Sequence, residues 1–258
     1  MTNPLSNQFL TILNLPINQV DLPDQFALMH NDPHPLCIIA AEDLQNYLNN
    51  QNDWNHNFGL SNDQEQAVIG KMFGVLVVRT NQDEIGYLAA FSGKLAGHNN
   101  HAKFVPPIFD TLAKNGFLNT GMQELTRMNH EISTLLALES DTDLAKLSLL
   151  KKTRKKYSVD LQQQIFDHYH LLNQAGEEKS LIKIFRAASY ANPPAGAGEC
   201  AGPKLLQHAF KNQLRPLALA EFWWGLSPKS ATWKHKQFYP CCKEKCEPIL
   251  AHMLKGLS

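Results

Sequence analysis

Two cysteine-containing segments frame an apolar run between Asn192 and Met253. The first is PPAGAGECAGPKLL (residues 193–206), a glycine- and proline-rich loop that ends in a cysteine and leads into a predicted helix. The apolar run, RPLALAEFWWG (residues 215–225), has the pattern of a buried strand. The second segment is FYPCCKEKC (residues 238–246), which again leads into a predicted helix. Four of the five cysteines are therefore expected at the beginnings of two helices that flank one strand.

These cysteines indicate a metal site. A helix N-terminus presents free N–H groups and the positive end of the helix dipole, which favour the thiolate form of cysteine. Thiolates are ligands of zinc. We therefore predict a zinc site formed by Cys200, Cys246 and one or both of Cys241 and Cys242. The alternative is a cluster of small buried apolar side chains, since free cysteine often behaves as one, and the spacing is not that of a standard zinc finger or ribbon.

The bulk properties are those of a globular chain. Its 258 residues can bury a large core in one or two domains. Apolar runs such as Phe73–Val78 are too short to span a bilayer, and the polar start, Met1–Asn7, does not resemble a signal peptide. Five clustered cysteines fit a reducing compartment better than a disulfide framework. We expect a cytoplasmic protein that does not associate with membranes.

Charge is unevenly distributed along the sequence. The formal net charge is zero, but residues 1–150 carry 16 acidic and 7 basic side chains, whereas residues 151–258 carry 8 acidic and 17 basic ones. A basic half suggests a polyanionic partner for that half. The alternative is that the two halves neutralise each other in the fold.

The remaining patterns predict an α/β (α+β) fold, with a small sheet that contains a hairpin and is flanked by helices. Leu36–Ala40 has the pattern of a short buried strand and Glu42–Gln51 that of a helix. Lys71–Arg79 and Ile85–Ser92 are β-rich runs separated by turn residues, which is typical of a hairpin. Ser180–Ser189 is a further predicted helix.

A long helical region is predicted from Leu118 to about Ala175. Apolar residues recur there at spacings of three and four, with a polar break near Ser140–Asp143 and a stop at Asn173–Gly176. This pattern fits two helices packed as an antiparallel, coiled-coil-like hairpin. We therefore predict that residues 1–117 and 177–258 form one α/β domain, into which residues 118–176 are inserted as a helical hairpin.

A basic cluster lies in the second of these helices. It is expected to grip the phosphate backbone of a nucleic acid together with lysines from the rest of the basic half; the alternative is an ordinary solvated face. The predicted RNA-binding residues are Lys151, Lys152, Arg154, Lys155, Lys156, Lys204, Lys234 and Lys236. The glycine loop before Lys204 is not a phosphate loop, because Pro203 separates Gly202 from Lys204.

Five segments resemble the amino-terminal region of long bacterial RluA-like pseudouridine synthases. They are residues 70–78 (GKMFGVLVV), 86–95 (GYLAAFSGKL), 193–206, 220–225 (AEFWWG) and 238–250 (FYPCCKEKCEPIL). In that family this region precedes a domain that isomerises uridine in ribosomal or transfer RNA, with its catalytic aspartate in a His-Arg-Leu-Asp motif. The sequence has no such motif, so no residue is predicted to be catalytic. The resemblance implies the front piece of a longer protein or a stand-alone relative.

A second resemblance is to zinc-dependent nucleoside and nucleic-acid deaminases. Their core order is helix, hairpin, helix opening at a His/Cys-x-Glu motif, strand, and Pro-Cys-x-x-Cys opening the next helix. Cys200, Cys241 or Cys242, and Cys246 would match the metal ligands. The position of the proton-shuttling glutamate is Gly202 here, so Glu199 or Glu221 would have to take that role.

Three functional hypotheses follow. The first is an accessory, RNA-binding region of a pseudouridine synthase, with zinc as a possible cofactor. The second is a metal-dependent hydrolase of the deaminase type. The third is a folding or oligomerisation module that uses the helical hairpin as its interface.

Overall fold

The architecture was examined in a computed structural model that describes residues 8–13, 21–29, 31–60, 68–113, 116–137 and 144–257. The chain divides into two compact units, one formed by Met1–Ile108 with His170–Ser258 and the other by Phe109–Tyr169. Helices and a mixed sheet occur together, which confirms the α+β class. None of the helices in the described ranges is both long and apolar enough to cross a membrane.

The strands and helices have the following bounds. The strands are β1 (Thr11–Ile12), β2 (Ala27–Leu28), β3 (Lys71–Arg79), β4 (Ile85–Phe91), β5 (His170–Leu172), β6 (Glu178–Ser180), β7 (Arg215–Trp224) and β8 (Phe238–Tyr239). The helices are α1 (Pro35–Asn50), α2 (Phe117–Ala137), α3 (Leu144–Asp167), α4 (Leu181–Ala187), α5 (Ala201–Lys211) and α6 (Glu247–Met253).

The main sheet of the first unit is built around strands β3 and β7. Its order is β1-β4-β3-β7-β2, with β8 also paired to β7. Only β2 runs parallel to its neighbour among the described pairs. The predicted β3–β4 hairpin is confirmed, and the Thr80 hydroxyl accepts hydrogen bonds from the backbone of Gln82 and Glu84 within its turn. The two central strands are almost wholly buried, as expected of strands covered on both faces.

The predicted strand at Leu36–Ala40 is wrong, because these residues form the first turns of α1. His34 caps the helix by accepting the Leu36 N–H at Nδ1, and Pro35 suits the first helical turn. The buried residues of α1 recur at helical rather than alternating spacing; they are Leu36, Cys37, Ala40, Ala41, Leu44, Gln45 and Leu48. Cys37 is a core residue, as expected, and packs with the sheet face that carries Phe73 and Phe222.

Helix α5 lies against the sheet at a glycine. A Cβ atom at Gly74 of β3 would lie only 2.9 Å from the Cβ of Ala201, which is closer than real side-chain contacts allow. The absence of a side chain at Gly74 therefore permits this close packing. The first turn of α5 can therefore approach the backbone of the sheet. This approach sets the distance of Cys200 from the sheet, because Cys200 immediately precedes that turn.

Helix α3 ends earlier than predicted. Residues 170–172 do not continue the helix to about Ala175; they form β5, which pairs antiparallel with β6 across the Asn173–Gly176 turn. The side chain of Gln207 accepts the Leu172 N–H and donates to the His170 carbonyl, so it satisfies backbone groups of β5 that have no helical partner. A further polar contact joins His252 Nε2 to the Leu171 carbonyl at 3.0 Å.

The second unit contains α2 and α3, which pack antiparallel. Arg154 Nε donates to Asn129 Oδ1 at 3.0 Å, Lys146 pairs with Glu131 at 3.7 Å, and Leu161 lies against Gly121. The unit covers Phe109–Tyr169, whereas the predicted insertion covered residues 118–176. The predicted polar break at Ser140–Asp143 lies outside the described residues.

Candidate metal centre

The glycine loop holds Cys200 at the start of α5. Cys200 is the N-cap residue, and the loop before it contains Gly196 and Gly198 at φ of 75° and 88°, a conformation that favours glycine. The loop is tied to the end of β4, since the Gly93 N–H donates to the Glu199 carbonyl and the Ala201 N–H to the Ser92 hydroxyl. The position of the Cys200 sulfur is therefore set by both the helix and the hairpin.

The second cysteine segment follows β8 and leads into α6. Cys246 is the N-cap of α6, and its N–H donates to the Cys242 carbonyl at 3.2 Å. This turn brings the two side chains to one side, with their Sγ atoms 3.5 Å apart. We predicted that the cysteines stand at the beginnings of two helices, one before and one after β7 in the sequence. This prediction is confirmed for Cys200 and Cys246.

Three sulfurs converge in space. The Sγ atoms of Cys200, Cys242 and Cys246 all lie within 4.8 Å of one another. A tetrahedral zinc ion with Zn–S bonds of about 2.3 Å requires sulfurs roughly 3.8 Å apart, so the cluster needs only small adjustments to hold one. Soft thiolate donors at this separation suit zinc.

Hydrogen bonds among the three cysteines favour one thiolate even without an ion. The thiols of Cys200 and Cys246 hold the pKa of Cys242 well below its usual range. The pKa of Cys200 is raised by its bond to Cys242, and that of Cys246 by its bonds to Cys200 and Cys242. A cation at the centre would favour loss of the remaining two protons, since a coordinating thiol is deprotonated.

Cys241, which the sequence analysis included as a possible ligand, is not a member of this cluster. Its thiol is hydrogen-bonded to Glu221, and burial followed by that carboxylate raises its pKa, so it stays protonated. The geometry therefore favours Cys242 over Cys241 as the ligand beside Cys200 and Cys246.

Glu221 is a buried carboxylate beside the cysteines. It is 4% exposed, and Oε1 accepts the Gly202 N–H at 2.9 Å. Burial raises its pKa to about 7, although the bonds from Gly202 and Cys241 act in the opposite direction. Oε1 also lies 3.7 Å from the point where a Cβ of Gly202 would stand. The carboxylate thus occupies the space that a side chain at position 202 would enter.

The cysteine cluster opens into a cleft of about 1040 Å³. We call this space the cysteine cleft. It is lined by the three clustered cysteines, by Cys241 and Glu221, by aromatic and apolar side chains, and by lysines; the members used below are Lys71, Trp223, Trp233, Tyr239, Lys243 and Lys245. All of these residues belong to the first unit. A cluster of three ligands beside an open space leaves a fourth coordination position for water or a bound molecule.

Lys204 does not face solvent, so its predicted contact with RNA is wrong. It is 3% exposed, and its ammonium donates to the carbonyls of Phe91 at 2.9 Å and Gly93 at 3.2 Å. Burial lowers its pKa to about 8. The side chain joins α5 to the end of β4. By contrast, Lys234 and Lys236 are exposed, and the Lys236 ammonium lies 5.8 Å from the centre of the Trp224 ring.

The basic cluster of α3 is displayed on the surface of the second unit. Lys151, Lys152, Lys155 and Lys156 are exposed, and none of the four forms an ion pair with another described residue. We call these four residues the α3 lysine face. Arg154 is only partly exposed and is bonded to α2 through Asn129.

The aromatic and cationic residues of the cysteine cleft were missed by the sequence analysis. Glu221 was named there only as a possible proton carrier, through the resemblance to deaminases; a further signal is that it is the one charged residue between Arg215 and Trp224 in an otherwise apolar strand. The aromatic wall carries no such signal, because Trp223 and Trp233 come from a strand and a loop and resemble ordinary core residues. No protein-family profile, curated protein or solved structure matches this chain.

Proposed function

We propose that this chain is an accessory, RNA-binding region of a pseudouridine synthase that modifies ribosomal or transfer RNA, without the isomerase motif in these 258 residues. The proposal combines the five sequence segments that resemble the family with the α3 lysine face. The observation that carries it is the exposure of four lysines that have no acidic partner among the described residues. Zinc held by Cys200, Cys242 and Cys246 would connect the beginnings of α5 and α6.

The spacing of the α3 lysine face suits a phosphate backbone. Lys151 and Lys155, and likewise Lys152 and Lys156, are four residues apart and lie next to each other on the helix surface. Contacts of this kind give affinity and position without reading base sequence. Four neutralised phosphates of a paired stem imply that the logarithm of the binding constant falls with the logarithm of salt concentration at a slope of about −3.6.

The test compares two fourfold variants of equal charge change. The K151Q/K152Q/K155Q/K156Q variant removes the α3 lysine face, and K183Q/K211Q/K229Q/K255Q removes four exposed lysines of the first unit. Binding to an RNA hairpin with a long paired stem and a short loop is measured between low and physiological salt. We expect the first variant to lose most of the salt slope and at least tenfold in affinity, and the control to retain both. Equal losses in the two variants would contradict the proposal.

A second candidate is a zinc-dependent hydrolase of the deaminase type. It is favoured by Glu221, whose carboxylate lies beside the Gly202 position where such enzymes carry their glutamate. The order α1, β3–β4 hairpin, α5 after Cys200, β7 and α6 after Cys246 is compatible with the same scaffold. Bound zinc would supply a water with a pKa near 7. Glu221 could then take up and return a proton.

Zinc analysis and deamination assays separate the two candidates. The purified protein is assayed for deamination of cytidine and adenosine, with E221Q as the variant that keeps the shape of the side chain but cannot carry the proton. Activity in the wild type that E221Q loses would establish the hydrolase. Stoichiometric zinc without activity on either nucleoside would leave a structural site, as the first proposal requires.

A further inference from the structure

An aromatic side chain is held at the wall of the cysteine cleft. The ring of Trp233 lies 4.3 Å from that of Trp223 and 6.3 Å from that of Tyr239, measured between centroids. Its loop is fixed by two hydrogen bonds from backbone N–H groups. That of Trp233 donates to the Ser227 hydroxyl at 2.9 Å, and that of Lys234 donates to the Tyr239 hydroxyl at 2.7 Å. Trp233 nevertheless remains 37% exposed. A large, ordered aromatic surface is therefore available to an occupant of the cleft.

Cations line the same cleft. Lys71 is partly buried, which lowers its pKa, and it has no ion pair with another described residue. Lys243 is exposed, and the Lys245 ammonium lies 3.5 Å from the Cβ position of Gly196 in the glycine loop. The acidic groups of the lining are Glu221, which is buried, and Glu247, at the start of α6. The three lysines outnumber the two accessible anionic groups, Glu247 and the Cys242 thiolate, which suits a ligand that carries phosphate.

The volume of the cysteine cleft is large enough for one nucleotide and parts of the nucleotides on either side of it. Ligand sites usually occupy about 300–1,000 Å³, and this cleft, at about 1040 Å³, is at the upper end of that range. Apolar side chains such as Leu250 and Leu254 also line the cleft. Proteins that bind unpaired RNA combine an aromatic platform for the base with a basic track for the backbone, and the cysteine cleft contains both.

We propose that the cysteine cleft binds an unpaired RNA nucleotide, with the base stacked on Trp233 and the phosphate contacted by Lys71 and Lys243. This inference rests on the proposed RNA-binding function and adds to it a second site, in the first unit, that selects single-stranded over paired RNA. The α3 lysine face supplies charge alone, whereas the cleft supplies a surface for a base.

The test measures binding of a mixed-sequence, single-stranded RNA hexamer. Loss of one base–aromatic stack corresponds to about tenfold or more in affinity, so we expect W233A to weaken hexamer binding at least tenfold. W233F keeps a stacking ring and should retain most of it. Y190A removes an aromatic ring of the first unit that is 42% exposed outside the cleft and should bind as the wild type does. If W233A does not fold, the K71Q variant tests the site independently. We expect K71Q to weaken hexamer binding several-fold.

Two RNA probes keep this inference separate from the proposed function. No hexamer binding by the wild type, or equal binding by the wild type, W233A and K71Q, would overturn the cleft site. A hairpin affinity that is unaffected by the fourfold substitution of the α3 lysine face would overturn the proposed function instead. We expect the hairpin to respond to the α3 lysine face and the hexamer to respond to Trp233 and Lys71.

Discussion

The cysteine cleft and the α3 lysine face would act on a ligand in different physical ways. In the cleft, the Glu221 carboxylate is buried and accepts a hydrogen bond from the Gly202 N–H, and three sulfurs lie within 4.8 Å of one another. On the α3 lysine face, the charged groups are exposed and free of ion pairs with described residues. The first region depends on the exact placement of a few atoms, and the second on the sum of its charges. Single substitutions should therefore be severe in the first and mild in the second.

The largest expected effect comes from displacing α5. A G74V substitution places side-chain atoms where Ala201 already lies, so the helix must move away from β3. We expect the free energy of unfolding to fall by about 2–4 kcal/mol, as in overpacked cores. Denaturant unfolding measures this. G97A serves as the control: nothing lies within 4 Å of its new Cβ, and its cost of about 1 kcal/mol comes from positive φ alone. Similar losses in both variants would contradict the close approach of α5.

The next effect concerns Lys204. A K204M substitution keeps much of the side-chain volume but leaves the carbonyls of Phe91 and Gly93 without their donor. We expect a loss of about 1–3 kcal/mol in unfolding free energy, with no change in affinity for the RNA hairpin. The control K183M changes an exposed lysine and should affect neither quantity. Weaker RNA binding by folded K204M would restore the role expected from the sequence.

A pH effect of about 1–2 kcal/mol is expected at His208 of α5. Burial, followed by the charge of Lys211, lowers its pKa to about 4, and its ring meets Phe9 edge-on at 5.3 Å. The unfolded chain, with a histidine pKa near 6.5, takes up the proton first as pH falls. Stability from the neutral ring is therefore complete above pH ~6.5 and is lost on going down toward pH ~4. Urea unfolding at several pH values measures this loss of stability, and in H208Q the loss between pH ~6.5 and ~4 should be reduced. The same pH profile in H208Q and the wild type would refute the role of His208.

The smallest effects are expected for single lysines of the α3 lysine face. Each of K151Q, K152Q, K155Q and K156Q removes one exposed charge and should weaken hairpin binding only a few-fold, reducing the salt slope by up to about 1. Their effects should add up to that of the fourfold variant. One single variant that accounts for the whole loss would show that this region, like the cleft, relies on a specific contact.

Much of the fold was predictable where local sequence and tertiary structure agree. The β3–β4 hairpin follows from two β-rich runs and a turn, and the meeting of Cys200 with Cys242 and Cys246 follows from helix starts around one strand. The apolar run Leu36–Ala40 was misread because a short apolar run fits a strand as well as a buried helix turn. Only the cap from His34 and the continuing stripe to Leu48 identify it as a helix.

Other features depend on contacts between residues far apart in the sequence. Gln207 hydrogen-bonds the backbone of β5, and no residue near His170 in the sequence indicates that partner. The cysteine cleft draws its wall from β3, β7, β8, α6 and the loop that holds Trp233. No local pattern unites these segments. Lys204 was misassigned because a lysine beside glycines looks exposed until the end of β4 is found to cover it.

The most direct test of the account is the zinc content of three purified proteins: the wild type, C242A and C241A. Cys241 and Cys242 are neighbours in sequence, but only the second belongs to the sulfur cluster. The account predicts about one zinc per chain in the wild type and in C241A, and a strongly reduced content in C242A. Zinc that is absent from the wild type, lost in C241A, or kept in C242A would contradict it.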